Sequence, residues 1–349
     1  MISSKWLKRG LLTVFVVIAA VLPFAAGGCA PDDGGEGELV VYNARSETFV
    51  KPLLEQFESE TGIRVRVLSG REELVNQIEE EKNNVRADIF ISNDAGAMEY
   101  LRRQGLLEPN DSPTLDKIDQ RFRAGDGSWV GLSARSRVLI YNKDLISEEE
   151  MPKTLKELAD PAWDGQFMIT RGGNSSMVTH VAALQEAWGD EETRAFLSSL
   201  SENAGAITGG HTDIRRAVGA GEYPIGLVNN YYYHLQLEED RHNNVGAIYP
   251  DQGEGEIGAF VNVAGVALIS EGPNEENARA FIDWILEDEQ QYQFSYHSKE
   301  TPLNPDIPAP EGAKPIDQYR AMDINLADLG QHWPGARELI QESGLDLGI

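Results

Sequence analysis

Short β-branched and aromatic runs alternate with helical periodicity along this sequence, and that alternation restricts the chain to an α/β fold. Glu38-Leu39-Val40-Val41-Tyr42-Asn43 has strand composition, and from Thr48 to Glu60 the residues Phe49, Leu53, Leu54 and Phe57 recur at helical spacing. Thr61-Gly62 ends that helix. Ile63, Val65 and Val67 then alternate with Arg64 and Arg66 at strand period, a second helix carries Leu74, Val75 and Ile78, and Ala87 to Ser92 is a third strand. The order β-α-β-α-β requires a parallel sheet covered by helices. The same grammar recurs at Val138 to Tyr141, at Gln166 to Thr170 with the helix containing Val178, Val181, Ala182 and Leu184, at Ile225 to Val228, and at Gly265 to Ile269 before a helix with Ala278, Phe281, Ile282, Ile285 and Leu286. No internal repeat is visible. Thr301 to Pro315 holds five prolines and reads as an extended surface connection, and Arg337 to Glu342 reads as a last amphipathic helix.

The N-terminus has a different grammar. Lys5, Lys8 and Arg9 precede an apolar run from Leu11 to Ala26 that is broken only by Thr13 and Pro23. That is the layout of a secretory signal over 1–28. Ala26-Gly27-Gly28-Cys29 resembles a bacterial lipobox, with Ala26 where leucine is usual, and Cys29 is the only cysteine, so no intrachain disulfide is available. Acylation at Cys29 followed by a polar, glycine-rich tether over 29–37 is the expectation. Removing residues 1–28 takes away three basic and no acidic groups, so the formal charge falls from −27 to −30. That balance argues against nucleic-acid binding, which needs a basic surface, and leaves the acyl chain as the expected membrane contact. A mature chain of about 320 residues suggests two domains.

Open α/β sheets bind ligands at the carboxyl ends of strands. The polar residues there are Asn43, Arg45 and Ser46; Asn93 and Asp94; Asn174 to Ser176; Gly210 and His211; and Asn229 to Tyr233. Tyr231, Tyr232 and Tyr233 cannot all face one core from an extended chain, because neighbouring side chains point opposite ways. Two readings stay open: aromatic packing with a rim hydroxyl, or phenolate donors to a hard, highly charged cation, for which ferric iron is the foremost candidate. Arg171 to Ser176 follows a strand and opens a helix, an arrangement suited to an anion. Enzyme signatures are absent: there is no Gly-x-Ser-x-Gly elbow, phosphate-binding loop, His-Glu-x-x-His or cysteine nucleophile, and nothing in the spacing of Ser175 and His211 favours a secreted hydrolase.

Nearly the whole mature chain resembles the ferric-ion-binding proteins of bacterial iron uptake. The resemblance rests on Phe57 to Ile63, Ala87 to Phe90, Leu132 to Val138, Asn229-Asn230-Tyr231-Tyr232 and Pro302 to Asp306. It implies the two-domain type II periplasmic-binding-protein fold, with hinge strands and an interdomain ligand cleft. The expected domains are 38–136 plus 261–305 and 137–260 plus 306–349. It further implies Tyr231 and Tyr232 as metal ligands and Asn229 with Asn174, Ser175 and Ser176 as anion-binding residues. The cargo would be Fe3+ with a synergistic carbonate, phosphate or citrate, and the partners the permease and ATPase subunits of an ABC transporter. An extracytoplasmic, lipid-anchored monomer is expected. Arg45 and Arg135 are further candidates for the anion, with structural pairing the safer reading for at least one of Arg45, Arg135 and Arg137. The sequence departs from the family at Ser46, Asn93, Met177 and His211, which leaves Asp94 and His211 as candidates to complete the metal shell. A same-fold binder of a metal-free, phosphonate-like anion or of a ferric chelate is the rival expectation.

Overall fold

The computed structural model describes residues 37–345 except 72 and 312; the expected signal segment, Cys29 and all of the tether before Gly37 lie outside the described residues. β1 (Glu38–Asn43), α1 (Glu47–Thr61), β2 (Arg64–Ser69), α2 (Glu73–Glu80), β3 (Ile89–Ser92) and α3 (Ala95–Arg103) follow the expected order. β1 lies parallel to β2 on one side and to β3 on the other, as helical crossovers require. α1 buries Val50, Leu53, Leu54 and Phe57, which fall on one face. Phe57 meets Phe281 and Trp284 edge-on at ring separations of 5.0 and 5.3 Å. Gly62 ends α1 at a φ of 75°, with its N–H returned to the Glu58 carbonyl, a backbone state that a Cβ disfavours.

The chain continues through β4 (Trp129–Asn142), β5 (Phe167–Thr170), α4 (Ser175–Trp188), α5 (Asp190–Asn203), β6 (Ala206–Thr208), α6 (His211–Gly219), β7 (Ile225–Asn229), α7 (Asn230–Leu237) and β8 (Val245–Ile248). It closes with β9 (Val261–Leu268), α8 (Glu275–Ile285), α9 (Asp288–Ser298), β10 (Thr301–Pro302) and α10 (Trp333–Glu342). The strand order is β2-β1-β3-β9-β4-β7-β5-β6, with β8 and β10 also paired to β4. β4 is buried along its whole length. Its residues up to Ser136 pair with β9, and from Arg137 onward it pairs with β7 and β8. One continuous strand therefore joins a group containing β1, β2, β3 and β9 to a group containing β5, β6, β7 and β8.

Two local expectations are corrected. β2 alternates in sequence but is largely exposed, because it is an edge strand; Glu58 accepts the outward N–H of Val65 at 2.9 Å, one way of blunting such an edge. The proline-rich stretch is no surface connection at its start: Thr301 to Asn304 are buried, and β10 pairs with Ser133 and Ala134 of β4. The C-terminal stretch packs on both groups, Leu326–Gln331 against α3 and α10 against α4 and α5.

Asp251, just after β8, stands at a φ of 60° and accepts the N–H of Leu155 at 3.1 Å. Burial raises its carboxyl to about 6. The folded protein thus keeps a proton that the unfolded chain loses near pH 3.9. The stability this adds is complete at lower pH and is lost as pH rises through about 6. Asp251→Asn keeps the acceptor and tolerates left-handed backbone. It should raise stability at pH 7.5 by about 1 kcal/mol, partial solvent access screening the remainder, and leave it unchanged at pH 4. Urea unfolding at the two pH values checks this; equal increments at both would refute it.

Candidate functional site

Five strand-to-helix junctions open onto one cleft of about 530 Å3, those of β1–α1, β3–α3, β5–α4, β6–α6 and β7–α7. In each the chain leaves the carboxyl end of a strand and starts a helix, so unpaired backbone N–H groups and the positive ends of helix dipoles gather around the space. The cleft is lined by Arg45, Asp94, Arg135, Asn174, Ser175, Ser176, His211, Asn229, Tyr231 and Tyr232. Tertiary structure thus brings together every residue named as a candidate metal ligand or anion contact within the described residues, while Asn43 and Tyr233 stay off the cleft lining and Cys29 lies outside the described residues.

Tyr231 and Tyr232 do not sit in an irregular loop, the conformation that two neighbours sharing one target would need next to a strand. They are the second and third residues of α7. Successive helical residues diverge by roughly 100°, which lets both side chains reach the same space. Their ring centroids are 4.3 Å apart with planes at 32°. Burial, then the neighbouring Tyr232, pushes the Tyr231 phenol well above the ordinary range. Tyr233 is absent from the cleft lining and packs by a small core that includes Val138, Val228 and Val245.

Behind the tyrosines, Arg137 holds the wall. Fully buried on β4, it donates from Nη1 to Asn229 Oδ1 at 2.9 Å and lies 3.1 Å from His211 Nε2. A guanidinium only donates, so His211 Nε2 is an acceptor and the ring is neutral. Burial, followed by Arg137 and Arg135, depresses its ionisation well below the usual histidine range. Although it follows two glycines at the start of α6, His211 is 3 % exposed, tilted against Tyr232 at 5.0 Å, and its Nε2 lone pair is engaged. Ser176 Oγ lies 2.9 Å from the same nitrogen and donates to Asn174 Oδ1 at 2.6 Å. Asn174 in turn caps α4 by accepting the Ser176 N–H at 3.1 Å.

Asp94 is committed to structure. It caps α3 by accepting the Ala97 N–H at 3.0 Å, accepts from Asn262 Nδ2 at 3.0 Å, and takes the hydroxyl of Thr179. Burial raises its carboxyl above the ordinary range, and Thr179 and Arg135 are the main opposing influences. With both oxygens already accepting hydrogen bonds from the fold, Asp94 is a poorer metal ligand than the phenols. The other departures from the family pattern fall as follows: Ser46 is exposed at the start of α1, Asn93 donates to the Ala44 carbonyl at 2.9 Å, and Met177 is buried in α4. Among the described residues no group of three or more His, Cys, Asp or Glu side chains could hold a metal. A metal in this cleft would depend on the two phenols.

The sequence reading missed Glu300. It is 2 % exposed and accepts from both Nη atoms of Arg45 at 3.3 Å, from the Ser133 hydroxyl, and lies 3.9 Å from Arg135. Buried arginines need a counter-charge, and an acidic residue just before the family-like stretch Pro302 to Asp306 was the available signal. Arg45 Nε and Arg135 Nη2 are buried without a partner.

Comparison with known proteins agrees with this architecture. The family model for bacterial extracellular solute-binding protein matches residues 53–322. Iron uptake protein A1 of Synechocystis sp. is 30% identical over 356 residues, covering 98% of each chain. The Fe(3+)-binding periplasmic protein of Serratia marcescens is 32% identical, over 76% of this chain and 77% of its own. Among solved structures, iron-bound HitA from Pseudomonas aeruginosa superposes with a TM-score of 0.82 at 29% identity. Trichodesmium FutA in complex with iron and citrate gives 0.79 at 28%, and both cover 88% of this chain and 99% of their own. These neighbours are two-domain periplasmic binding proteins, so the expected α/β fold class is borne out. With most of its length matched, and with its strand ends converging on one polar cleft as an open α/β sheet requires, the chain belongs to the bacterial extracellular solute-binding protein family.

Proposed function

We propose that this protein captures ferric iron together with a small anion outside the cytoplasm and delivers it to an ABC transporter. The observation that carries the reading is the pair of phenols at the start of α7, 4.3 Å apart ring to ring at the meeting point of five strand ends. Phenolates are hard oxygen donors suited to Fe3+. Asn174, Ser175, Ser176, Asn229, Arg45 and Arg135 would face the anion, with carbonate, phosphate and citrate as the candidates. Support for ferric cargo also comes from the names of the relatives in Synechocystis and Serratia. The protein acts by binding, not catalysis. The lobes 38–136 plus 261–305 and 137–260 plus 306–349 would close on the cargo as a hinge about β4. The permease and ATPase subunits of the transporter would receive the monomer at the membrane. Elemental analysis of the purified protein tests the reading directly: iron near one per chain is expected, and a metal-free protein that takes no iron from ferric citrate would overturn it.

A second reading, capture of a metal-free anion, is favoured by the buried N–H groups of Arg45 and Arg135 that lack partners. A visible absorption band on loading separates the two, because only ferric phenolate absorbs there.

The membrane anchor is a separate element of the proposal. It rests on Cys29 behind the apolar run Leu11 to Ala26. Cys29→Ser should move the protein from the membrane fraction to the soluble exported fraction; an unchanged distribution would remove the anchor from the account.

A further inference from the structure

We infer that Glu300 is a built-in counter-ion which weakens the cleft's hold on metal-free anions, so that an anion is held most firmly when a ferric ion arrives with it. The inference rests on the ferric reading above. Its basis is register. β10 runs antiparallel to β4 with Thr301 opposite Ala134 and Pro302 opposite Ser133, and continuing that register by one residue sets Glu300 opposite Arg135. Ser133 and Arg135, two apart on one strand, point to the same face, and Glu300 reaches both there. It also accepts from both Nη atoms of Arg45. Lys299, the preceding residue, pairs with Glu238 just past the end of α7 at 2.8 Å, which ties this segment to the helix bearing Tyr231 and Tyr232.

Glu300 does not line the cleft, whereas Arg45 and Arg135 do. It is therefore a positioning residue acting through the arginines. Without cargo its single negative charge offsets one of their two positive charges. An incoming anion meets two arginines whose buried Arg45 Nε and Arg135 Nη2 still lack partners, but also the fixed negative charge that both already face. In a buried site that repulsion is large enough to cancel much of the attraction of one arginine. A ferric ion bound to the tyrosines adds the positive charge that Glu300 withholds, so metal and anion reinforce each other's binding.

The test measures binding of citrate, with no iron present, to chelator-stripped full-length protein by calorimetry. Glu300→Gln should tighten metal-free citrate by at least about tenfold. Glu300→Asp keeps the charge but withdraws it by one methylene and should give a smaller gain, about threefold. A merely structural carboxylate would lower affinity on removal, since the arginines would lose their orientation. If Glu300→Gln does not fold, Glu300→Asp decides. Folded variants that bind citrate no more tightly than wild type would overturn the inference. Failure of the ferric reading has a different signature, a wild-type protein that develops no visible band with ferric citrate.

Discussion

Replacing both Tyr231 and Tyr232 with phenylalanine should abolish the visible charge-transfer band that the wild-type protein develops with ferric citrate, and should weaken ferric binding by at least about a hundredfold. Loss of groups that only support a metal ligand already costs 10–100-fold in metal affinity, and here two donors themselves are removed. The double variant should fold, because phenylalanine preserves the ring packing of Tyr232 against His211 and of the two rings against each other. Each single variant should shift or weaken the band. Proton release gives an independent readout. Burial holds the Tyr231 phenol protonated well above the ordinary range, so metal must displace that proton and ferric affinity should rise with pH. Tyr231→Phe should reduce the proton release by one per ion. An undiminished band in the double variant would refute phenolate ligation while leaving the fold untouched. An Asn229→Ala control should matter less than either tyrosine if iron is bound; if a metal-free anion is the cargo it should matter as much.

In buffer stripped of carbonate, phosphate and citrate, ferric affinity should fall by at least about a hundredfold, with restoration on adding any one that fits. The structure makes this dependence stronger than the sequence implied. Asp94 is spent on the Ala97 N–H, Thr179 and Asn262, and the buried Nε2 of His211 already accepts from Arg137. Two phenol oxygens fall well short of the shell of a hard trivalent ion, so the ferric reading requires the remaining donors to come from the anion and water. Chelator competition under carbonate-free conditions measures the difference; equal affinity with and without every anion would mean that further protein donors take part.

The α/β class, the strand ends that carry polar residues and the tyrosine pair were legible in the sequence because they are local. Hydrophobic period and turn chemistry depend on neighbours a few residues apart, as in Val41 to Asn43 or Thr61-Gly62. The helical setting of Tyr231 and Tyr232 was less legible: the run Asn230 to Leu237 has little amphipathic signal, since aromatic and polar residues follow one another without a 3.6-residue period. Strand β6 spans only three residues and β8 is Val245-Gly246-Ala247-Ile248, whose glycine and alanine dilute the strand signal that the equally short β3 and β5 carry.

Roles set by long-range partners were not readable at all. Whether Asp94 was a cap or a ligand depended on Thr179 and Asn262, 85 and 168 residues away. The burial of His211 depended on Arg137, which reaches it across 74 residues. Glu300 became part of the site only because the pairing of β10 with β4 carries it across 167 residues to Ser133 and 255 to Arg45. The sequence by itself determined which residue types the strand ends present, because backbone preference and hydrophobic period act over one or two turns of chain. Only the tertiary structure decided which of those groups remain free for a cargo, because a buried carboxylate, imidazole or guanidinium is defined by the partners that satisfy it, and those partners come from distant strands brought into register by the sheet.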